Sequence, residues 1–217
     1  MTQAIGRGYC PLVLGGDHAC AIGTWKGAAK AVAKNGALGL VWLDAHLDAH
    51  TPETTPSGML HGMPLAVLLG RGDARLLRLT GGIGIDPKHL CVVGARSFEP
   101  EEEKLLRELG VSVIDMARIQ TIGLRGAIET AVQIAAGAPG GWGLSIDLDV
   151  IDPIDAPGVG SPVAAGLALG SLVDSLHALA LRPGLVAVEL AEYNPSRDPD
   201  QRTRLAAESI VRAIFAA

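Results

Sequence analysis

Aromatic residues are scarce in this chain, with two Phe, two Tyr and three Trp among 217 residues. Hydrophobic residues still make up 48% and mean hydropathy is +0.32. The interior must therefore be built from Ala, Val, Leu and Ile, which suits a parallel sheet covered by helices on both faces. Cysteine is nearly as rare: Cys10, Cys20 and Cys91 are odd in number and have no CxxC spacing. That argues against a disulfide framework or a structural zinc site and leaves each as a small hydrophobe expected to be buried. Clusters of Lys and Arg are missing and the net charge is −5. Nucleic acid and anionic membrane are disfavoured as partners, and a small molecule is expected. No stretch approaches the ~20 uncharged apolar residues of a membrane span, and Met1 to Cys10 lacks a basic region followed by an apolar run. A cytoplasmic location is the default expectation. Gly15-Gly16 and Gly81-Gly82 do not form a GxGxxG that opens a helix after a strand, so tight turns explain them better than a dinucleotide site. Repeats, low-complexity tracts and interdomain linkers are also missing, and the length favours one domain over residues 1–217.

What is present is an alternation of short apolar runs with longer amphipathic segments. The expected strands are Leu12 to Gly15, Leu38 to Leu43, Leu90 to Gly94, Val111 to Ile114, Trp142 to Ile146 and Leu185 to Leu190. The expected helices are roughly Ala19 to Lys34, His61 to Gly70, Pro100 to Leu109, Leu124 to Ala136, Gly170 to Leu181 and Arg202 to Phe215. Such alternation requires crossover connections and predicts an α/β fold of three layers, αβα, around a mostly parallel sheet.

Ligands of such sheets bind beyond the carboxyl ends of the strands. Several expected strands end there in chemically loaded residues: Gly15-Gly16-Asp17-His18, Asp44-Ala45-His46-Leu47-Asp48, Asp147-Leu148-Asp149, and the stretch from Glu189 to Pro195. On an extended chain Asp44, His46 and Asp48 would share one side, as would Asp147 and Asp149. Groups gathered so closely repel or sit desolvated unless cations join them, so a two-metal hydrolase is the reading these runs support. Taken alone, an Asp-x-His or Asp-x-Asp is more often a loop cap, and His18 could cap the Ala19 helix. Asp17 is the better cap candidate, which leaves His18 free. Glu189 reads as a possible buried partner for an arginine.

The first three of these stretches, with Ser145-Ile146 before Asp147 and Asp152-Pro153 behind Asp149, resemble the metal-binding motifs of the ureohydrolases, the arginase and agmatinase family. Ser57-Gly58-Met59-Leu60-His61-Gly62 and Glu192-Tyr193-Asn194-Pro195 are more similar to the arginase branch. The resemblance implies two Mn²⁺ ions, one held by His18, Asp44, Asp48 and Asp147, the other by Asp44, His46, Asp147 and Asp149. It also implies a shared water whose pKa the ions lower, giving the hydroxide that attacks a guanidinium carbon. Glu192 would grip the guanidinium through paired hydrogen bonds, Asp48 would pass a proton to the departing amine, and His61 would shuttle protons. Hydrolysis of L-arginine to L-ornithine and urea is the implied reaction.

The same resemblance places His50, Thr55, Ser57, Met59, Glu99, Ser161 and Glu192 in the substrate pocket. Arginases usually carry asparagine where this chain has His50 and Met59, so agmatine or a guanidino acid is an alternative substrate. Family members usually have a further N-terminal strand, whereas 17 residues precede His18 here. That implies a missing strand region or a shorter sheet, and an inactive, truncated metal-binding subunit is the competing reading from another class. Deacetylase relatives share the sheet, but their single-zinc motifs find no match. The family forms homo-oligomers, trimers or hexamers.

Overall fold

A computed structural model describes residues 1–79, 85–178 and 182–215. Six strands form one sheet: β1 (Leu12–Leu14), β2 (Gly39–Leu43), β3 (Leu90–Val93), β4 (Ser112–Ile114), β5 (Trp142–Asp147) and β6 (Leu185–Ala191). Their order is β1-β6-β5-β2-β3-β4 and each pairing is parallel. The sheet is thus wholly rather than mostly parallel among the described residues. β2 and β5 are buried at every position, as central strands with both faces covered must be.

The helices are α1 (Thr2–Gly6), α2 (Ala21–Val32), α3 (Pro64–Leu68), α4 (Ala74–Leu79), α5 (Pro100–Leu109), α6 (Met116–Ile122), α7 (Leu124–Ala136), α8 (Leu169–His177) and α9 (Arg202–Phe215). Alternating strand residues sort them into two layers. Leu40 and Trp42 of β2 with Leu90 and Val92 of β3 pack against Trp25 of α2, Leu65 of α3 and Leu106 of α5. Val41 and Leu43 with Cys91 and Val93 face the other way, onto Ala131 of α7, Leu176 of α8 and Ile210 of α9. Three tryptophans, Trp25, Trp42 and Trp142, are the largest fully buried side chains, whereas Tyr9, Phe98 and Phe215 are exposed. Gly143 makes room for one of them: a Cβ there would collide with the Trp25 ring.

The expected helices differ in detail. The one from Ala19 begins as a 3-10 turn, His18–Cys20, before α2, and the one from His61 divides into a 3-10 turn, Leu60–Gly62, and α3 starting at Pro64. The expected helix to Leu181 is seen to His177; residues 179–181, like the Gly81-Gly82 pair, lie outside the described residues. α1, α4 and α6 were not anticipated, each having seven residues or fewer. Cys91 is buried as expected, but Cys10 and Cys20 are only half-buried.

Two consequences matter for the site. After β2 the chain moves to β3 on one side, and after β5 to β6 on the other, so the adjacent β2 and β5 flank the topological switch point, where a crevice opens at the strands' carboxyl ends. At the sheet's edge, β1 has three residues, pairs with β6, and leaves Leu14 72% exposed.

Candidate metal centre and substrate cleft

Side chains from three strand ends meet at this crevice. His18 follows β1, Asp44, His46 and Asp48 follow β2, and Asp147 and Asp149 close β5. His18 Nδ1 lies 3.3 Å from Asp44 Oδ2 and 3.1 Å from both Asp48 Oδ2 and Asp147 Oδ2. His46 Nδ1 lies 3.4 Å from Asp44 Oδ1 and 3.0 Å from Asp149 Oδ2. Asp44 thus presents one oxygen to each imidazole. Five of the six expected ligands fall in two groups that could each hold a cation, His18 with Asp44 and Asp48 and His46 with Asp44 and Asp149, so that the groups share Asp44; Asp147 adjoins the first through His18.

Local structure, rather than extended alternation, brings them together. β2 ends at Leu43, and Asp44 Oδ1 accepts a hydrogen bond from His46 N–H at 2.7 Å, turning the chain. Asp48 has φ +49°, a left-handed conformation that costs a non-glycine residue energy. Asp147 caps the 3-10 turn Leu148–Val150 by accepting from Asp149 N–H at 2.8 Å. Asp17 caps the turn His18–Cys20 by accepting from Ala19 N–H at 2.8 Å, which leaves the His18 ring free.

The His18 ring is set from behind. It stacks on Trp42 with centroids 4.2 Å apart. Its Nε2 lies 3.1 Å from Ser145 Oγ, and that hydroxyl donates to Glu189 Oε1 at 3.0 Å. Because the hydroxyl's proton goes to Glu189, Nε2 carries the proton it donates to Ser145, and Nδ1 is left with a lone pair. Glu189 therefore partners Ser145, and at 3.6 Å Cys20 Sγ, rather than an arginine.

This centre fits divalent cations. His18 Nδ1 and Asp48 Oδ2 are fully buried, lie among carboxylate oxygens, and have no hydrogen-bond partner; native proteins seldom leave such atoms unserved. The electrostatics agree. Burial, then the charge of Asp44, lifts Asp48 well above the usual carboxylate range; burial, then Asp149 and Asp44, does the same to Asp147. Burial works against a charged His46, yet Asp149 and Asp44 push its imidazole up to about 11. The cluster draws protons for want of other positive charge, and cations would displace them.

Around the centre, Asp48, His50, His61, Glu99, Ser161 and Glu192 line one cleft together with His46, Asp147 and Asp149. Glu192 Oε1 accepts from His18 N–H at 2.7 Å, and Glu192 has φ +68°. Gly160 gives its carboxylate room, since a Cβ there would lie 2.7 Å from Oε2. Thr55, Ser57 and Met59 are not among the lining residues: Thr55 Oγ1 accepts from Gly58 N–H, Ser57 Oγ from Met59 N–H, and Met59 is exposed.

Sequence reading passed over Glu102, Ser97 and Arg96. Glu102 and Ser97 line the cleft. Arg96 donates to the carbonyls of Asp149 at 2.8 Å, Val163 at 2.7 Å and Ala164 at 3.1 Å, tying the β5 loop to the segment that leads to α8. Its signal was the single basic residue after β3, visible but without a motif.

Comparison with known proteins agrees with this geometry. The model of the Arginase family matches residues 1–216. An arginase of Bacillus subtilis (strain 168) is 41% identical over 206 residues, which cover 94% of this chain and 68% of that protein. The solved arginase of Bacillus caldovelox superposes with a TM-score of 0.94 at 39% identity, over 100% of this chain and 72% of its own. That of Entamoeba histolytica, in complex with L-ornithine, gives 0.91 at 30% identity over 100% and 74%. With the family model spanning residues 1–216 and the fold superposing on solved arginases over its whole length, this chain belongs to the arginase family.

Proposed function

We propose that this protein hydrolyses a C–N bond of a guanidino compound, with L-arginine giving L-ornithine and urea as the leading reaction and two Mn²⁺ as cofactor. The observation that carries this reading is the pair of ligand groups sharing Asp44 in the wall of a cleft that also presents Glu192. The oxygen-rich shell with two imidazoles is one that manganese accepts. The relatives named as arginases, and the bound L-ornithine of the Entamoeba histolytica protein, support the substrate.

His18, Asp44, Asp48 and Asp147 would hold one ion and Asp44, His46, Asp147 and Asp149 the other. When bound, the ions supply Lewis-acid polarisation and a water acidified toward neutral pH. The rest falls to the protein's own groups. The Glu192 carboxylate, pinned by His18 N–H, receives the planar guanidinium through charge-assisted hydrogen bonds and fixes the angle of its central carbon. Asp48 Oδ2, which accepts no hydrogen bond, takes the proton released at the attack and delivers it to the departing amine. His61, at the cleft wall, exchanges protons with solvent. The same reading includes assembly into a homo-oligomer, measurable by light scattering.

The test is urea release from arginine by protein loaded with Mn²⁺, with Asp147→Ala as control. Urea from wild type and none from the variant is expected. Two bound metals without urea from any guanidino compound would favour a non-catalytic metal-binding subunit.

A further inference from the structure

Along its free side, β1 leaves backbone groups ready for a further strand. The Pro11 carbonyl accepts from Val188 N–H at 3.0 Å and Gly15 N–H donates to the Leu190 carbonyl at 2.8 Å, so the odd-numbered residues here turn their polar groups to β6. Leu12 and Leu14 turn theirs outward, where no strand meets them among the described residues. Exposed edges are usually blunted by a charge, an internal proline, a bulge or a covering element. Leu12-Val13-Leu14 has no charge and no proline, pairs in regular register, and leaves Leu14 exposed. Beside it runs an apolar groove between β1 and α9, with Leu12, Leu14, Leu148, Leu190, Tyr193 and Val211 in its walls. The α9 rim of this groove carries Arg204, Glu208 and Arg212, about one helical turn apart and alternating in sign.

Two features of this surface complement a second copy of itself. When β1 of two copies runs antiparallel about a two-fold axis at Val13, Leu12 of each stands opposite Leu14 of the other, and each such pair exchanges its outward N–H and C=O groups. The same axis, normal to the sheet, keeps both α9 helices on one face and antiparallel, so that Glu208 of each copy has an arginine of the other to meet. We propose that β1 and the adjoining groove form an isologous interface between two copies of this chain, which joins their sheets into one. This rests on the homo-oligomer reading above and not on the chemistry proposed there. Three residues of strand are too few to hold two proteins together, so the groove contributes by receiving apolar side chains of the second copy.

Light scattering after gel filtration, with hydrogen exchange measured over residues 11–16, tests this on the purified chain. Wild type is expected at an even multiple of 22.3 kDa, with exchange at Leu12 and Leu14 slowed as protein concentration rises. Leu14→Lys should halve the mass and abolish the slowing. Leu14→Pro removes only an outward N–H, which an edge strand tolerates, and should do the same. Glu208→Arg makes the rim uniformly basic without touching β1 and should also halve the mass, so a Leu14 variant that fails to fold leaves the test intact. A wild-type monomer, or an odd assembly such as a trimer, overturns the proposal, and the monomer overturns the homo-oligomer reading with it. An even assembly that survives these variants, or whose β1 exchanges freely, overturns the proposal and leaves that reading standing. A monomer with β1 protected by a co-purifying peptide assigns the edge to a different chain and likewise overturns it.

Discussion

Ser145 and His18 lie 127 residues apart, yet the Ser145 hydroxyl stands 3.1 Å from His18 Nε2 and settles which ring nitrogen faces the aspartate cluster. Ser145→Ala removes the acceptor for Nε2–H and the donor to Glu189. Metal affinity is expected to fall about 10- to 100-fold, as when other supporting partners of ligating histidines are lost. Competition with a fluorescent chelator reads this; unchanged affinity would refute the assigned role.

Metal content should report the sharing of Asp44. His46→Ala is expected to retain one ion per chain and Asp44→Ala none, because Asp44 faces both imidazoles. Elemental analysis after dialysis against Mn²⁺ counts them. Wild type should also melt higher with metal, by about 2.7 kcal/mol of added stability for each occupied site at 100 times its Kd.

Glu192→Gln keeps an acceptor for His18 N–H but loses the charge offered to a guanidinium. A loss of roughly 10- to 100-fold in kcat/KM is expected, the scale of one charge-assisted hydrogen bond. Metal content should stay at the wild-type value. Kinetics alongside elemental analysis separates this from damage to the metal centre.

Asp198 supports the start of α9: Oδ1 accepts from Thr203 N–H at 3.1 Å and Oδ2 from Arg204 N–H at 2.9 Å. Burial opposes its charge, but the backbone N–H groups of Arg204, Thr203 and Arg202 outweigh it and hold the carboxyl below its usual range. A folded pKa below the unfolded one gives stability that is present above the unfolded value, about 3.9, and is lost as pH falls through the folded value. The stability gap between wild type and Asp198→Asn, from urea melts, should be full at neutral pH and close below about pH 4. A gap independent of pH would refute it.

Gly143→Ala should destabilise by about 1–3 kcal/mol, since the added methyl meets the Trp25 ring. Trp25→Phe, tested together with it, should recover part of that loss, while Trp25→Phe alone should destabilise by leaving a cavity. Denaturant midpoints of the double-mutant cycle decide it.

All six strands were legible because each is an apolar run bounded by turn residues, and the metal motifs because their ligands cluster at strand ends. The mode of convergence was not legible. Asp44 and Asp147 act as side-chain caps of tight turns, and sequence alone does not distinguish such a turn from one more strand residue. Short helices such as α4 and α6 carry too few turns to show a helical period. Supporting residues were the hardest to read: Glu102, Arg96 and the Ser145–Glu189 pair act on ligands from other segments, and nothing local marks such partnership.

The first residue of the cluster, His18, hangs from the sheet's edge strand. β1 is three residues long and held by a single neighbour among the described residues, whereas Asp44 and Asp147 hang from strands buried throughout. Edge segments open with less free energy than the core. On heating, the lip bearing His18 should therefore fray ahead of the global transition, and the bound ions should escape while the rest of the molecule is still folded.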